Sequence, residues 1–198
     1  MKAIKFFVAA MAMAFAVNTN AQAPAELNQN YNRLHVGYAP TDFSAALGEA
    51  RLHGFSAGWL GGYNVTKGQL PLYVETGLTM NFVAGELRSD CDKMLNFEVP
   101  ANLTYRYRIP KTQVRLSPYF GFHFKVTALA IDDDAHNYYD LPGTRRFQFG
   151  MQVGANVEFN RFYVGAGWNK DFMPLCTGSF PLGEVKTSGL RVNIGVVF

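Results

Sequence analysis

The chain has 198 residues, and its 18 Lys and Arg against 15 Asp and Glu leave a net charge of only +3, with the basic residues scattered. No basic patch of the kind that neutralises a phosphate backbone is present, so nucleic acid is not an indicated partner. Charged residues make up 17% and aromatics 15%, with 17 Phe and 19 Gly, a mix poorer in charge than ordinary globular proteins and suited to a chain that faces lipid.

In chain order, a basic start (Lys2, Lys5), an apolar run from Phe6 to Val17 and a small-polar NTNAQA tail have the layout of a secretory signal peptide. The run is shorter than the ~20 residues of a spanning helix. Cleavage is expected after Ala21, giving residues 1–21 as signal peptide and 22–198 as one domain. No Cys follows the site to carry lipid, and no later apolar run is long enough for a spanning helix.

Eight segments then alternate with period two, the signature of a strand with one apolar face. Their apolar sets run Leu34 to Tyr38, Phe55 to Tyr63, Leu72 to Phe82, Leu95 to Tyr107, Val114 to Val126, Phe147 to Phe159, Phe162 to Trp168 and Leu190 to Phe198, taking every second residue. These sets hold 44 positions and no charged residue. The opposite set carries Arg33, Glu75, Glu98, Arg106, Arg115, Lys125, Glu158 and Arg191, with His35 and His123.

The links between segments alternate as well. Links two-three, four-five and six-seven are short turns, whereas residues near 39–53, 84–94, 128–146 and 172–187 form longer loops. Short turns at one end and long loops at the other is the arrangement of outer-membrane barrels. Aromatics fall at both rims of the apolar face: Tyr63, Tyr105, Tyr107, Phe159, Phe162 and Phe198 near the turns, and Tyr38, Phe55, Phe82, Phe97, Phe124 and Phe147 near the loops.

The expected fold is therefore all-β: an eight-stranded antiparallel transmembrane up-and-down β-barrel behind a cleaved signal peptide. Hydrocarbon offers backbone groups no hydrogen-bond partner, so the sheet must close on itself. Eight strands leave an interior that side chains fill, which predicts a plugged lumen rather than a diffusion pore. A lipocalin-like barrel, apolar inside and polar outside, would have to bury 44 apolar-face residues in a space too small for them. Pro100 and Pro118 each remove a ladder donor and are expected at bulges or unpaired amides, near one level of the barrel.

Three pieces of sequence carry a family likeness. The strand EVPANLTYRY at 98–107, the PYFG strand at 118–121 and the hairpin GANVEFNRFYVG at 154–165 resemble the small eight-stranded outer-membrane β-barrel family that includes PorT-like proteins and the OmpA-OmpX-like barrel domain. The resemblance runs from about residue 31 to the end. It implies an integral protein of a Gram-negative outer membrane, with Phe198 resembling the terminal signal read by the barrel-assembly machinery; it carries no catalytic motif.

The inward charges are expected to form hydrogen-bonded ion pairs that fill the lumen, because a buried ion needs a partner. An ion path through them is opposed by the narrow diameter. Cys91 and Cys176 lie in the second and fourth long loops, and a disulfide or two separate thiols are equally open readings. IDDDAHNYYD in the third loop departs from a calcium loop at Asn137 and Gly143 and reads as a solvated acidic loop. No metal or cofactor is expected.

The functional expectation is a structural or surface-interaction role, with outer-membrane lipid, the assembly machinery and an unidentified envelope protein as partners. The alternatives are a membrane subunit of an envelope secretion complex and a lipid hydrolase or acyltransferase of the outer leaflet. The enzyme reading is opposed because Ser117 and His123 lie about 20 Å apart along one strand, with no triad-like set around them.

Overall fold

The computed structural model describes residues 29–45, 48–67, 69–86, 91–131, 144–175 and 184–198. Its strands are β1 (Tyr31–Tyr38), β2 (Thr41–Ala45), β3 (Gly48–Asn64), β4 (Leu72–Glu86), β5 (Cys91–Tyr105), β6 (Tyr107–Arg108), β7 (Val114–Ile131), β8 (Phe147–Phe159), β9 (Phe162–Asp171) and β10 (Lys186–Val197). Eight staves result, because β1 runs on into β2 and β5 into β6. Every pairing is antiparallel, and β1 binds both β3 and β10, so the sheet is closed. At the seam Phe198 and Asn32 exchange both backbone bonds, at 2.8 and 2.9 Å.

Each interruption has a local cause. Between β1 and β2, Pro40 has no N–H to give the ladder, and Ala39 turns its amide to the Gly54 carbonyl at 2.8 Å. A side chain at Gly54 would meet the Ala39 carbonyl, so glycine permits that close approach. Between β5 and β6, the Arg106 amide leaves the ladder for the Pro71 carbonyl at 2.8 Å.

The prolines lie beside gaps in the ladder, but not at one level. Pro100 is opposite His123 on the β7 side, and the β4 ladder skips from Thr76↔Ala101 to Thr79↔Glu98. The pairs Thr104↔Tyr119 and Tyr107↔Leu116 put Tyr105, not Pro100, level with Pro118. The common level expected from the sequence is thus replaced by two separate irregularities, because the register of the β5–β7 hairpin staggers the two prolines.

The three described non-glycine residues with positive φ, Lys67, Lys111 and Asn160, lie in the β3–β4, β6–β7 and β8–β9 turns. All three turns are at one end of the barrel. Left-handed backbone of this kind permits a tight reversal, and Asn tolerates it well.

Alternation follows the sequence closely across the membrane: the outward residues of β8 are exposed or half-exposed while every intervening one is buried. The loop-side aromatics Tyr38, Phe55, Phe82, Phe97, Phe124 and Phe147 are exposed, as are Tyr63, Phe159, Phe162 and Phe198 at the turn side. Tyr105 departs from its girdle at 4% exposure.

The strands are longer than the alternation indicated. A strand needs ~9–11 residues to cross, whereas β3, β4, β5 and β7 have 17, 15, 15 and 18. Much of what read as loop at 39–53 and 84–94 is strand that continues beyond the aromatic girdle. There the polarity reverses: Arg51 faces out, its side chain 62% exposed, while Leu52 next to it is 0% exposed. Water replaces lipid outside the wall, so the outer face turns polar and the inner face apolar.

Phe43, Leu52, Val83, Met94, Ala130 and Val185 make an apolar core inside this raised rim, with Leu175 against it. A bulge helps build it. Leu95 pairs Leu129 and Asn96 pairs Thr127, leaving Ala128 as the extra residue. Beyond it the phase of β7 shifts by one, and Ala130 turns inward.

Candidate functional site

Within the membrane the inward side chains are the polar ones, and they gather into two ion networks. At the turn side Glu158, 0% exposed, is the hub. It accepts from Arg106 Nη2 at 2.6 Å and Nε at 3.1 and 3.2 Å, from Ser117 Oγ at 2.9 Å and from Arg33 Nη2. Arg115 Nη1 stands 3.9 Å from the same carboxylate.

Arg33 bridges to a second carboxylate, placing Nη1 2.5 Å from Glu75. Glu75 also accepts from Thr104 at 2.8 Å and from the Tyr31 hydroxyl. Aromatic faces hold the guanidinium groups in place: Arg106 lies 3.9 Å from the Tyr31 ring centroid, and Arg33 lies 5.0 and 5.1 Å from those of Tyr31 and Tyr163. Such cation–π contacts gain strength when desolvated.

The loop-side network has two parts. Arg191 donates to Glu98 with both terminal nitrogens, at 3.0 and 2.7 Å, and Asn81 adds a third donor at 3.3 Å. A forked pair of this kind fixes both partners. Beside it, Asp171 receives Lys125 Nζ and the Thr187 hydroxyl, and His123 Nε2 lies 2.6 Å from its other oxygen.

All eight charged residues selected from the sequence thus lie in one or other network. Six are buried, while Arg191 keeps 13% and Arg115 24% of their side chains exposed. Alternation found them because they lie on the face opposite lipid.

Asp171 was missed, since the seventh apolar set ends at Trp168. Extending the period through Tyr163, Gly165, Gly167 and Asn169 would have found it. The inward tyrosines Tyr31, Tyr73 and Tyr163 were missed too, although Tyr31 is two residues from Arg33.

Between the networks the lumen is filled by uncharged polar groups, with Gln152 donating to Asn102 at 2.7 Å. Among the described residues, small cavities of about 30 Å³ beside Tyr119 and about 20 Å³ beside Lys125 interrupt this filling. At ~10–15 Å³ per water each has room for one to three molecules.

Ser117 belongs to the Glu158 network and His123 to the Asp171 network, so their side chains are not a nucleophile–base pair. No group of three metal-ligating side chains occurs among the described residues. The possible Cys91–Cys176 bridge, residues 132–143 of the acidic loop and the signal peptide lie outside what the structure describes; Cys91 is placed only as the first residue of β5.

No curated protein matches the chain. Among solved structures, Neisserial surface protein A is similar with a TM-score of 0.50 and 20% identity over 84% of this chain and 97% of that one. Ail, the attachment invasion locus protein of Yersinia pestis, seen in complex with the heparin analogue sucrose octasulfate, gives a TM-score of 0.49 and 15% identity over 86% and 99%. The N-terminal β-barrel domain of Pseudomonas aeruginosa OprF gives 0.40 and 12% over 86% and 100%. At such identities the likeness concerns the fold. The outer membrane protein beta-barrel domain matches residues 7–198, nearly the whole chain, and the chain belongs to that family of bacterial outer-membrane barrels.

Proposed function

We propose that this barrel is non-conducting and serves a structural or surface-interaction role. The observation that supports it best is the filling of the lumen: two buried ion networks stacked along the axis, with an apolar core above them. An ion moving through would have to displace paired charges whose desolvation is already compensated, at several kcal/mol per ion. The side available to partners is the raised rim, where β3 continues past Phe55 and turns polar outward. Phe198, at the seam between β10 and β1, is the candidate signal for the barrel-assembly machinery.

The test is conductance across planar bilayers after reconstitution of the full mature chain. The expected record has no discrete steps in the wild type, and openings appear when Glu98 and Arg191 are both replaced by Ala. Regular openings of the wild type would overturn the closed-lumen reading. Surface exposure is checked separately by labelling intact cells at Lys186, whose amine lies on the rim.

A further inference from the structure

The two ion networks differ in balance. At the loop side Arg191 matches Glu98 and Lys125 matches Asp171. At the turn side three guanidinium groups, Arg33, Arg106 and Arg115, share two carboxylates, Glu75 and Glu158.

Two of these guanidinium groups, those of Arg106 and Arg115, face an opening. A cavity of about 540 Å³ forms the turn-side mouth of the lumen, and Arg106, Arg115, Arg161 and Phe198 are among its walls. Arg161 is exposed on the β8–β9 turn, and its carbonyl accepts the Val197 amide at 2.7 Å, which ties it to the closing seam. Among the described side chains that line the cavity, Arg106, Arg115 and Arg161 are cationic and none is a carboxylate.

We infer that this mouth is a binding site for a phosphate group. Three features of the mouth favour this. Three guanidinium groups, those of Arg106, Arg115 and Arg161, line one cavity, and a cleft walled by one sign of charge concentrates the opposite ion. The guanidinium groups are held in place beforehand, Arg106 by Glu158 and the Tyr31 ring, so little entropy is lost when they bind; planar N–H forks of this kind suit phosphate oxygens. The volume lies within the usual range for small ligands, and the rings of Phe162 and Phe198 set the mouth at headgroup level. The phosphate can come from a soluble periplasmic compound or from a lipid headgroup of the inner leaflet, and the chemistry of capture is the same.

The experiment uses the full mature chain refolded in a phosphate-free maltoside detergent, titrated at low salt with inorganic phosphate and separately with dioctanoyl phosphatidylglycerol. One saturable site is expected, weakened about tenfold or more by Arg161→Gln, a loss equivalent to one decade in Kd. The double change Arg115→Gln and Arg161→Gln weakens it further, and added salt weakens it in the wild type. Lys67→Gln, on the β3–β4 turn, leaves it unchanged.

Stronger binding of the lipid than of inorganic phosphate assigns the site to a headgroup; equal binding assigns it to a soluble compound. Arg161 is exposed, so its variant should fold, and heat-modifiable migration checks this. Absence of a saturable site for both probes, binding unaltered by Arg161→Gln, or equal loss with Lys67→Gln would overturn the proposal.

Discussion

Glu158→Gln isolates what the turn-side network contributes to stability. The substitution keeps the side chain's size but removes a charge that faces Arg33, Arg106 and Arg115 at once. Glu75 then stands alone against three guanidinium groups, and the new amide turns donors toward donors. Removing one partner from a buried pair costs roughly 3–5 kcal/mol. With a urea slope of about 2 kcal/mol per molar, the unfolding midpoint should fall by roughly 1.5–2.5 M. The assay is reversible urea unfolding in lipid vesicles, read by the folded and unfolded bands on unheated gels. Glu49→Gln, on the exposed rim, is the matched control and should move the midpoint little. A loss below about 1 kcal/mol for Glu158→Gln would contradict a desolvated network, since it would mean that water screens the lumen as it does a surface.

Other sites give independent expectations. Leu78, 49% exposed, pairs Trp59 midway between the girdles, so Leu78→Arg should cost about 2–4 kcal/mol in vesicles, while Val65→Arg beyond the turn-side girdle costs about 0–1. Asp171→Ala strands Lys125 and should destabilise by roughly 3–5 kcal/mol, and the double change Lys125→Met with Asp171→Leu should recover most of that loss; equal loss in the double variant would show that packing rather than charge is at stake. Gly154 pairs Gly167, and a side chain at Gly154 would meet the Ala166 carbonyl and the Tyr119 ring. Gly154→Ala should therefore cost about 1–3 kcal/mol, a loss read in the same unfolding assay.

The membrane-spanning part was legible in the sequence because lipid imposes one rule on every stave: no charge outward. That rule exposed the period-two faces, and with them Arg33, Glu75, Glu98 and the other inward charges. It fails where lipid ends. Beyond Phe55 the pattern inverts, so Arg51 and Leu52 read as loop although they extend β3, and the apolar core of Phe43, Leu52 and Val83 went unseen. The bulge at Ala128 hid the end of β7 in another way, since a single extra residue shifts the phase. Which charges pair was also out of reach. Arg33 and Glu158 are 125 positions apart in sequence, and only closure of the barrel, through β1 on β10, brings their staves across one narrow lumen.

Trp59 and Trp168, the chain's two tryptophans, both lie on the outward face between the girdles, so tryptophan fluorescence in vesicles tests the orientation of the wall most directly. With lipids brominated near the middle of their acyl chains, strong quenching of both residues is expected, measured one at a time in Trp59→Phe and Trp168→Phe variants, with little quenching by aqueous acrylamide. Acrylamide quenching without bromolipid quenching would contradict a barrel whose apolar face meets lipid.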